Sequence, residues 1–189
     1  MARRAPEHRV LTLASGSPQR RAILEQLGID FKVEAPEVEE LREGDPRSVA
    51  LENARRKARA VEGDLVLGVD TDVVLDGRVF GKPADAAEAE TFLRRLSGRT
   101  HEVMSGIVLR KGSAERGEVA VTKVRFRLLE QRDIDWYLAS GEWSERAGGY
   151  AIQGKGAALV ADIEGDYSNV VGLPVPALVA LMPGFAGVS

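Results

Sequence analysis

An apolar run, Leu65-Val66-Leu67-Gly68-Val69, continues directly into Asp70-Thr71-Asp72. A carboxylate at the end or in the middle of a buried strand is costly unless it is paired, hydrogen-bonded or bound to a metal. The stretch is therefore a candidate site, with Asp70 its first member, and a solvent-facing hairpin carboxylate is the plainer alternative. If the strand stays regular, only one of the two aspartates is expected on the side that the flanking core residues dictate. A second candidate is Ser15-Gly16-Ser17-Pro18-Gln19-Arg20-Arg21, placed between a strand and a helix start. Free backbone N–H groups there favour anions, and two hydroxyls with one or two guanidiniums would complete a phosphate site. An ordinary capped helix carrying a solvated arginine pair fits those residues equally well. The segment has neither the Gly-Lys-Ser/Thr of a Walker A loop nor a dinucleotide GxGxxG turn.

Other residues carry weaker signals. Lys82, in Gly81-Lys82-Pro83, follows one hairpin after Asp70 and could return close to it in space. Asn53 and Lys57, four residues apart, share one face of a helix. Glu40 lies in an acidic loop, where a solvated charge is the ordinary outcome, and His101 at a strand entry is expected to be a structural hydrogen-bonding residue. In Gly148-Gly149-Tyr150-Ala151-Ile152-Gln153-Gly154, the glycines up to Gly156 would let backbone approach a flat ligand, and Gln153 offers a donor and an acceptor to base edges. A flexible loop is the alternative.

The elements that must position these groups follow from periodicity and caps. Residues 10–14 form a first strand, and Ser17 and Pro18 open a helix with an Ile23, Leu24, Leu27 stripe that Gly28 stops. Residues 29–35 suggest a second strand. Asp45-Pro46 opens a helix with Leu51, Ala54, Ala58 and Val61 facing the core. Residues 65–69 and 73–75 form a strand that turns back at Asp76-Gly77 through Val79 and Phe80. Asp85 and Glu88 cap a helix striped by Ala89, Phe92, Leu93 and Leu96. Residues 103–109 and 118–128 form a long hairpin, with a bulge expected near Thr122-Lys123, where the apolar parity shifts. A short helix around Ile134 and Tyr137, a strand over residues 157–163 and a last helix beginning near Pro176 complete an α/β or α+β body with a mixed sheet.

Composition bounds the rest. The chain has 189 residues, 44% of them hydrophobic and 29% charged, with a formal net charge of −3. That describes a globular chain of one domain over residues 1–189, without the basic field that non-specific nucleic-acid binding needs. There are no cysteines and only two histidines, His8 and His101, which removes thiolate catalysis and cysteine zinc sites and favours a hard, oxygen-ligated ion wherever a metal is used. The basic N-terminus lacks the apolar run of a signal peptide, and no stretch approaches a membrane span. The expectation is a cytoplasmic protein with no membrane or nucleic-acid polymer as partner.

Taken in order, Leu13-Ala14-Ser15-Gly16-Ser17-Pro18, Gly68-Val69-Asp70-Thr71, Gly81-Lys82-Pro83, Leu96-Ser97-Gly98-Arg99-Thr100-His101-Glu102-Val103, Gly149-Tyr150-Ala151-Ile152-Gln153-Gly154 and Val170-Val171-Gly172-Leu173-Pro174 resemble the signature blocks of the Maf nucleotide pyrophosphatases. The resemblance implies an inosine-triphosphate-pyrophosphatase-like α/β fold: an elongated mixed sheet with flanking helices and two lobes around a cleft. It implies hydrolysis of a nucleoside triphosphate to the monophosphate and pyrophosphate with a divalent cation, Mg²⁺ or Mn²⁺. By position, Asp70 matches the general base, and Ser15, Ser17 and Arg20 match the triphosphate loop. Glu40, Lys57 and Lys82 match the remaining polar cleft residues, with Asp70 and Glu40 as the metal carboxylates. Gln19, Thr71 and Gln153 stand where base choice is set. Thr71 and Gln153 fit the branch acting on dTTP and UTP, whereas Gln19 replaces that branch's arginine. The branch acting on 7-methyl-GTP is less similar. Broad specificity, a non-catalytic septum-formation role and assembly as a homodimer stay open.

Overall fold

The computed structural model describes residues 10–182; the basic N-terminal stretch and His8 lie outside the described residues. Strand β1 (Leu11–Ala14) leads into helix α1 (Pro18–Gln26), with Ser17 as its N-cap and Pro18 in its first turn, and then into strand β2 (Phe31–Val33). Helix α2 (Pro46–Arg59) starts at Asp45, whose side chain accepts the Ser48 N–H. Strand β3 (Leu65–Leu75) turns at Asp76 and Gly77, both at positive φ, into β4 (Arg78–Phe80), the two-residue hairpin that an Asp-Gly pair favours. Helix α3 (Ala86–Leu96), the long strands β5 (Thr100–Lys111) and β6 (Ala114–Phe126), and helix α4 (Gln131–Leu138) follow. Strand β7 (Val160–Glu164) and the short helices α5 (Tyr167–Val171) and α6 (Val175–Leu181) end the described chain.

The strands form one seven-stranded open sheet in the order β2-β1-β3-β5-β6-β7, with β4 paired to β3. β1 is parallel to β2 and β3, and the remaining pairs are antiparallel, so the sheet is mixed as expected. Its long strands run through two packed bodies. In the first, Leu11, Leu13, Leu67, Val69 and Ile107 pack against Ile23, Leu24, Leu173 and Leu178 on one face, while Ala54 and Ala58 of α2 meet Val66 and Val108 on the other. In the second, Val73, Leu75, Val103, Val124 and Phe126 pack with Leu93, Leu96, Ile134, Tyr137 and Tyr150. β3 crosses from one body to the other. Its ladder with β1 ends at Gly68, and its ladder with β4 begins at Val73. Among the described residues, Val69 to Asp72 therefore have no strand on that edge, and this open edge is the candidate for the expected cleft.

β3 runs on through Asp70-Thr71-Asp72 as one strand, because β5 pairs it without interruption from Leu65 to Val74. Two expectations need correction. No bulge occurs at Thr122-Lys123; the register of β6 against β5 is unbroken, and the irregularity lies between Arg125 and Phe126, against β7. The parity shift has another cause. Gly117 and Val119 face α2 in the first body, whereas Thr122, Val124 and Phe126 on the opposite face are buried in the second half of the strand. Finally, Lys155–Leu159 is a tight helical turn, so the strand expected from residue 157 begins only at Val160.

Candidate active site

The open edge of β3 gathers two polar clusters, one on each face of the sheet. Strand residues two apart share a face, so Asp70 and Asp72 both point toward α2 and Thr71 points away. The expectation that only one aspartate could follow its core neighbours is corrected on this ground. Asp70 is buried, at 6% exposure, and both its oxygens are held by one face of α2. Lys57 Nζ stands 2.5 Å from Oδ1, and Asn53 Nδ2 donates to Oδ2 at 3.1 Å. Lys57 also reaches Glu40 Oε1 at 2.6 Å, so a single ammonium lies between Asp70 and the acidic loop. The Asn53 amide continues to that loop, accepting from the Leu41 N–H at 2.7 Å and donating to the Leu41 carbonyl at 3.1 Å.

Asp72 is half-buried and accepts no hydrogen bond from the described residues. Burial, with Asp70 and Glu40 nearby, pushes its carboxyl up to about 7, against the opposing pull of Lys57 and Arg20. The two carboxylates on this strand are thus in different environments: one held at both oxygens, the other desolvated without a donor and set near like charge.

On the other face, Arg20 is buried and its guanidinium is splayed over three acceptors. Nε donates to the Gly172 carbonyl at 2.8 Å, Nη1 to Ser15 Oγ at 2.8 Å and Nη2 to Thr71 Oγ1 at 3.0 Å. Of the five N–H donors of an arginine, two remain for a ligand. Burial pulls the Arg20 pKa down while Asp70, Glu40 and Asp72 hold it up, which places this cation beside the carboxylates across the strand. Thr71 also shares a 2.8 Å hydrogen bond with Ser105, its register partner on β5. Ser17 caps α1 through the Arg20 N–H at 3.5 Å and donates to Gln19 Oε1 at 3.2 Å.

Ser15, Arg20, Glu40, Lys57, Asp70 and Thr71 thus come together as the sequence suggested. Lys82 is not in contact with Asp70: it pairs at 2.7 Å with Glu145, and both are well exposed. Gln153 lies exposed in the second body and makes no hydrogen bond to the described residues. The glycines before it serve packing within the protein. A side chain at Gly148 would strike Val73, Gly149 holds a positive φ of 69° that disfavours other residues, and Gly148 N–H bonds the Gly81 carbonyl at 3.1 Å. His101 has the structural role expected of it: at 1% exposure its Nε2 meets the Tyr150 hydroxyl at 2.8 Å, and burial pulls its pKa to about 4. Ser105 carried no sequence signal of its own, and Gly172 appeared only within a signature block, with nothing to mark its carbonyl as an acceptor for Arg20. Only strand register, which pairs Ser105 with Thr71, could have pointed to the former.

The parallel strand β1 of an open α/β sheet ends beside a held carboxylate and a buried arginine, the layout in which such sheets carry ligand sites. The chain belongs to the Maf-like protein family, whose profile matches residues 10–185. It is 49% identical over 181 residues to a dTTP/UTP pyrophosphatase of Symbiobacterium thermophilum, covering 93% of both chains. It is 50% identical over 175 residues to one of Thermus thermophilus, covering 91% of this chain and 92% of the relative. A third, from Deinococcus radiodurans, is 45% identical over 182 residues, covering 94% and 93%.

Proposed function

We propose that the protein hydrolyses nucleoside triphosphates, dTTP and UTP foremost, to the monophosphate and pyrophosphate. The observation that carries this reading is the Asp70 carboxylate, held at both oxygens in the stretch of β3 whose edge between β1 and β4 carries no strand among the described residues. Phosphoanhydride cleavage asks a protein for little covalent chemistry; it asks for an oriented water and positioned charge. Asp70 serves as the base. Lys57 and Asn53 engage one lone pair on each oxygen, and the remaining lone pairs can accept a proton from an attacking water. Arg20, with two unused N–H groups, and the backbone N–H groups at the start of α1 receive the polyphosphate. Lys82 joins them, since its exposed pair with Glu145 is worth at most about 1 kcal/mol and is readily exchanged for phosphate.

A divalent cation fits the donor set. Glu40 and Asp70 are hard oxygen donors already spaced around a cation, the Lys57 ammonium. Among the described residues no three His, Cys, Asp or Glu side chains are grouped to hold an ion. Asp70 and Glu40 would hold a Mg²⁺ or Mn²⁺, whose remaining ligands would come from substrate phosphate and water. Bound there, it would neutralise charge on the phosphates.

Base choice rests on Gln19 and Gln153 in this reading. The Thr71 hydroxyl is engaged by Arg20 and Ser105, so Thr71 orients the guanidinium rather than reading a base. The names of the relatives favour dTTP and UTP. The test is kcat/KM for dTTP, UTP, CTP, GTP and 7-methyl-GTP with Mg²⁺ or Mn²⁺. The two thymine and uracil nucleotides should lead. A lead for 7-methyl-GTP would move the protein to that branch, and no turnover of any nucleotide would leave a non-catalytic role.

A further inference from the structure

Asn53 is 2% exposed, and its amide is fully committed to functional parts of the cleft. Its oxygen accepts from the Leu41 N–H at 2.7 Å, one amide hydrogen goes to the Leu41 carbonyl at 3.1 Å and the other to Asp70 Oδ2 at 3.1 Å. The partners fix which end is which: a flipped amide would set its oxygen against the Leu41 carbonyl and the Asp70 carboxylate, and its NH₂ against the Leu41 N–H. No other side chain of this length offers two donors and an acceptor in that arrangement. One turn along the helix, Lys57 repeats the pattern, binding Asp70 Oδ1 and Glu40. The segment between β2 and α2 has no regular structure, and Arg56 adds a further tie at the Glu39 carbonyl, at 3.0 Å.

We propose that Asn53 is a positioning residue of this site, setting the direction of the Asp70 carboxylate and, with the same amide, holding the Glu40–Leu41 backbone across it. The two carboxylates are then presented as one unit, whatever base the substrate carries. The proposal rests on the reading of Asp70 as the base, and the loop half of it stands independently.

The test uses Asn53→Ala, which suits a helix interior, and the isosteric Asn53→Asp, each alone and combined with Asp70→Asn, with folding checked by circular dichroism. Against UTP, each single Asn53 variant should lose at least about tenfold in kcat with KM changed by no more than about threefold, because alignment of the base is affected more than substrate binding. In the Asp70→Asn background the same change should have little further effect, since residues acting as a unit are not additive. Hydrogen exchange should show residues 39–42 losing protection in Asn53→Ala while Asp70→Asn keeps it. A wild-type kcat, or an equal loss in both backgrounds, overturns the positioning of Asp70. Unchanged protection overturns the hold on the loop. If Asp70→Asn itself remains fully active, the reading of Asp70 as base fails instead, and the exchange result still decides the loop.

Discussion

Asp70 is recognisable in the sequence because a charged residue ends a run of five residues that would otherwise be plain core. The residues that give it direction are not legible in the same way. Asn53 shows only as a neighbour of Lys57 on a helix face, Lys57 is placed in the cleft by the family resemblance alone, and nothing in their spacing says which strand residue that face meets. Lys82 follows the hairpin as its position suggests, but its side chain pairs with the exposed Glu145 rather than with Asp70, which chain position alone does not reveal. Asp70→Asn should leave the fold intact, since Lys57 keeps Glu40 as a partner at 2.6 Å and no cation is left buried alone. Turnover should fall by about 10²–10⁴-fold, the usual contribution of a general base. Steady-state kinetics with a folded variant checks this, and retention of more than about a tenth of the wild-type rate would remove Asp70 from the chemistry.

At the scale of elements, the site depends on how closely α2 lies on the sheet. Gly68 of β3 and Gly106 of β5 sit under the helix backbone; a Cβ at Gly68 would collide with the Ala54 carbonyl oxygen, and one at Gly106 with that of Ala50. The small residues Ala54 and Ala58 complete the contact. This approach brings Asn53 and Lys57 within hydrogen-bond reach of Asp70. Gly68→Ala should therefore force α2 outward, destabilising the protein by about 1–3 kcal/mol in denaturant unfolding and lowering kcat/KM together with stability. Unchanged stability would mean that the helix has room the packing does not show. Caps and turns were the legible part of the fold: Ser17, Asp45, Asp85 and the Asp76-Gly77 hairpin all act as their residue types suggest. Helix α5 was not anticipated, because its five residues are too few to display a periodic stripe. The expected bulge failed because burial in β6 changes face where one body gives way to the other, which a single strand's pattern cannot distinguish from an inserted residue.

Across the whole molecule, the buried His101 and the half-buried Asp72 pull stability in opposite directions with pH. His101 is held at about 4 against an ordinary 6.5. Between those values the unfolded chain binds a proton that the folded chain refuses, so this contribution is complete above pH 6.5 and is lost as pH falls toward 4. Its size is bounded at about 3 kcal/mol. Asp72, at about 7 against 3.8, behaves conversely: the folded chain keeps a proton that the unfolded chain releases, so its contribution is complete below 3.8 and is lost as pH rises through 7. The slopes oppose each other where the windows overlap. Without divalent cation, His101→Gln should leave a melting temperature that falls as pH rises from about 4.5 to 6.5, and Asp72→Asn one that rises. Parallel profiles for the two variants would contradict the assignments. Cleavage between the α and β phosphates beside Asp70 is read out by phosphorus NMR of the products from UTP and dTTP. It predicts nucleoside monophosphate and pyrophosphate in equal amounts, with no orthophosphate from the first turnover. Stoichiometric orthophosphate with the diphosphate would contradict it.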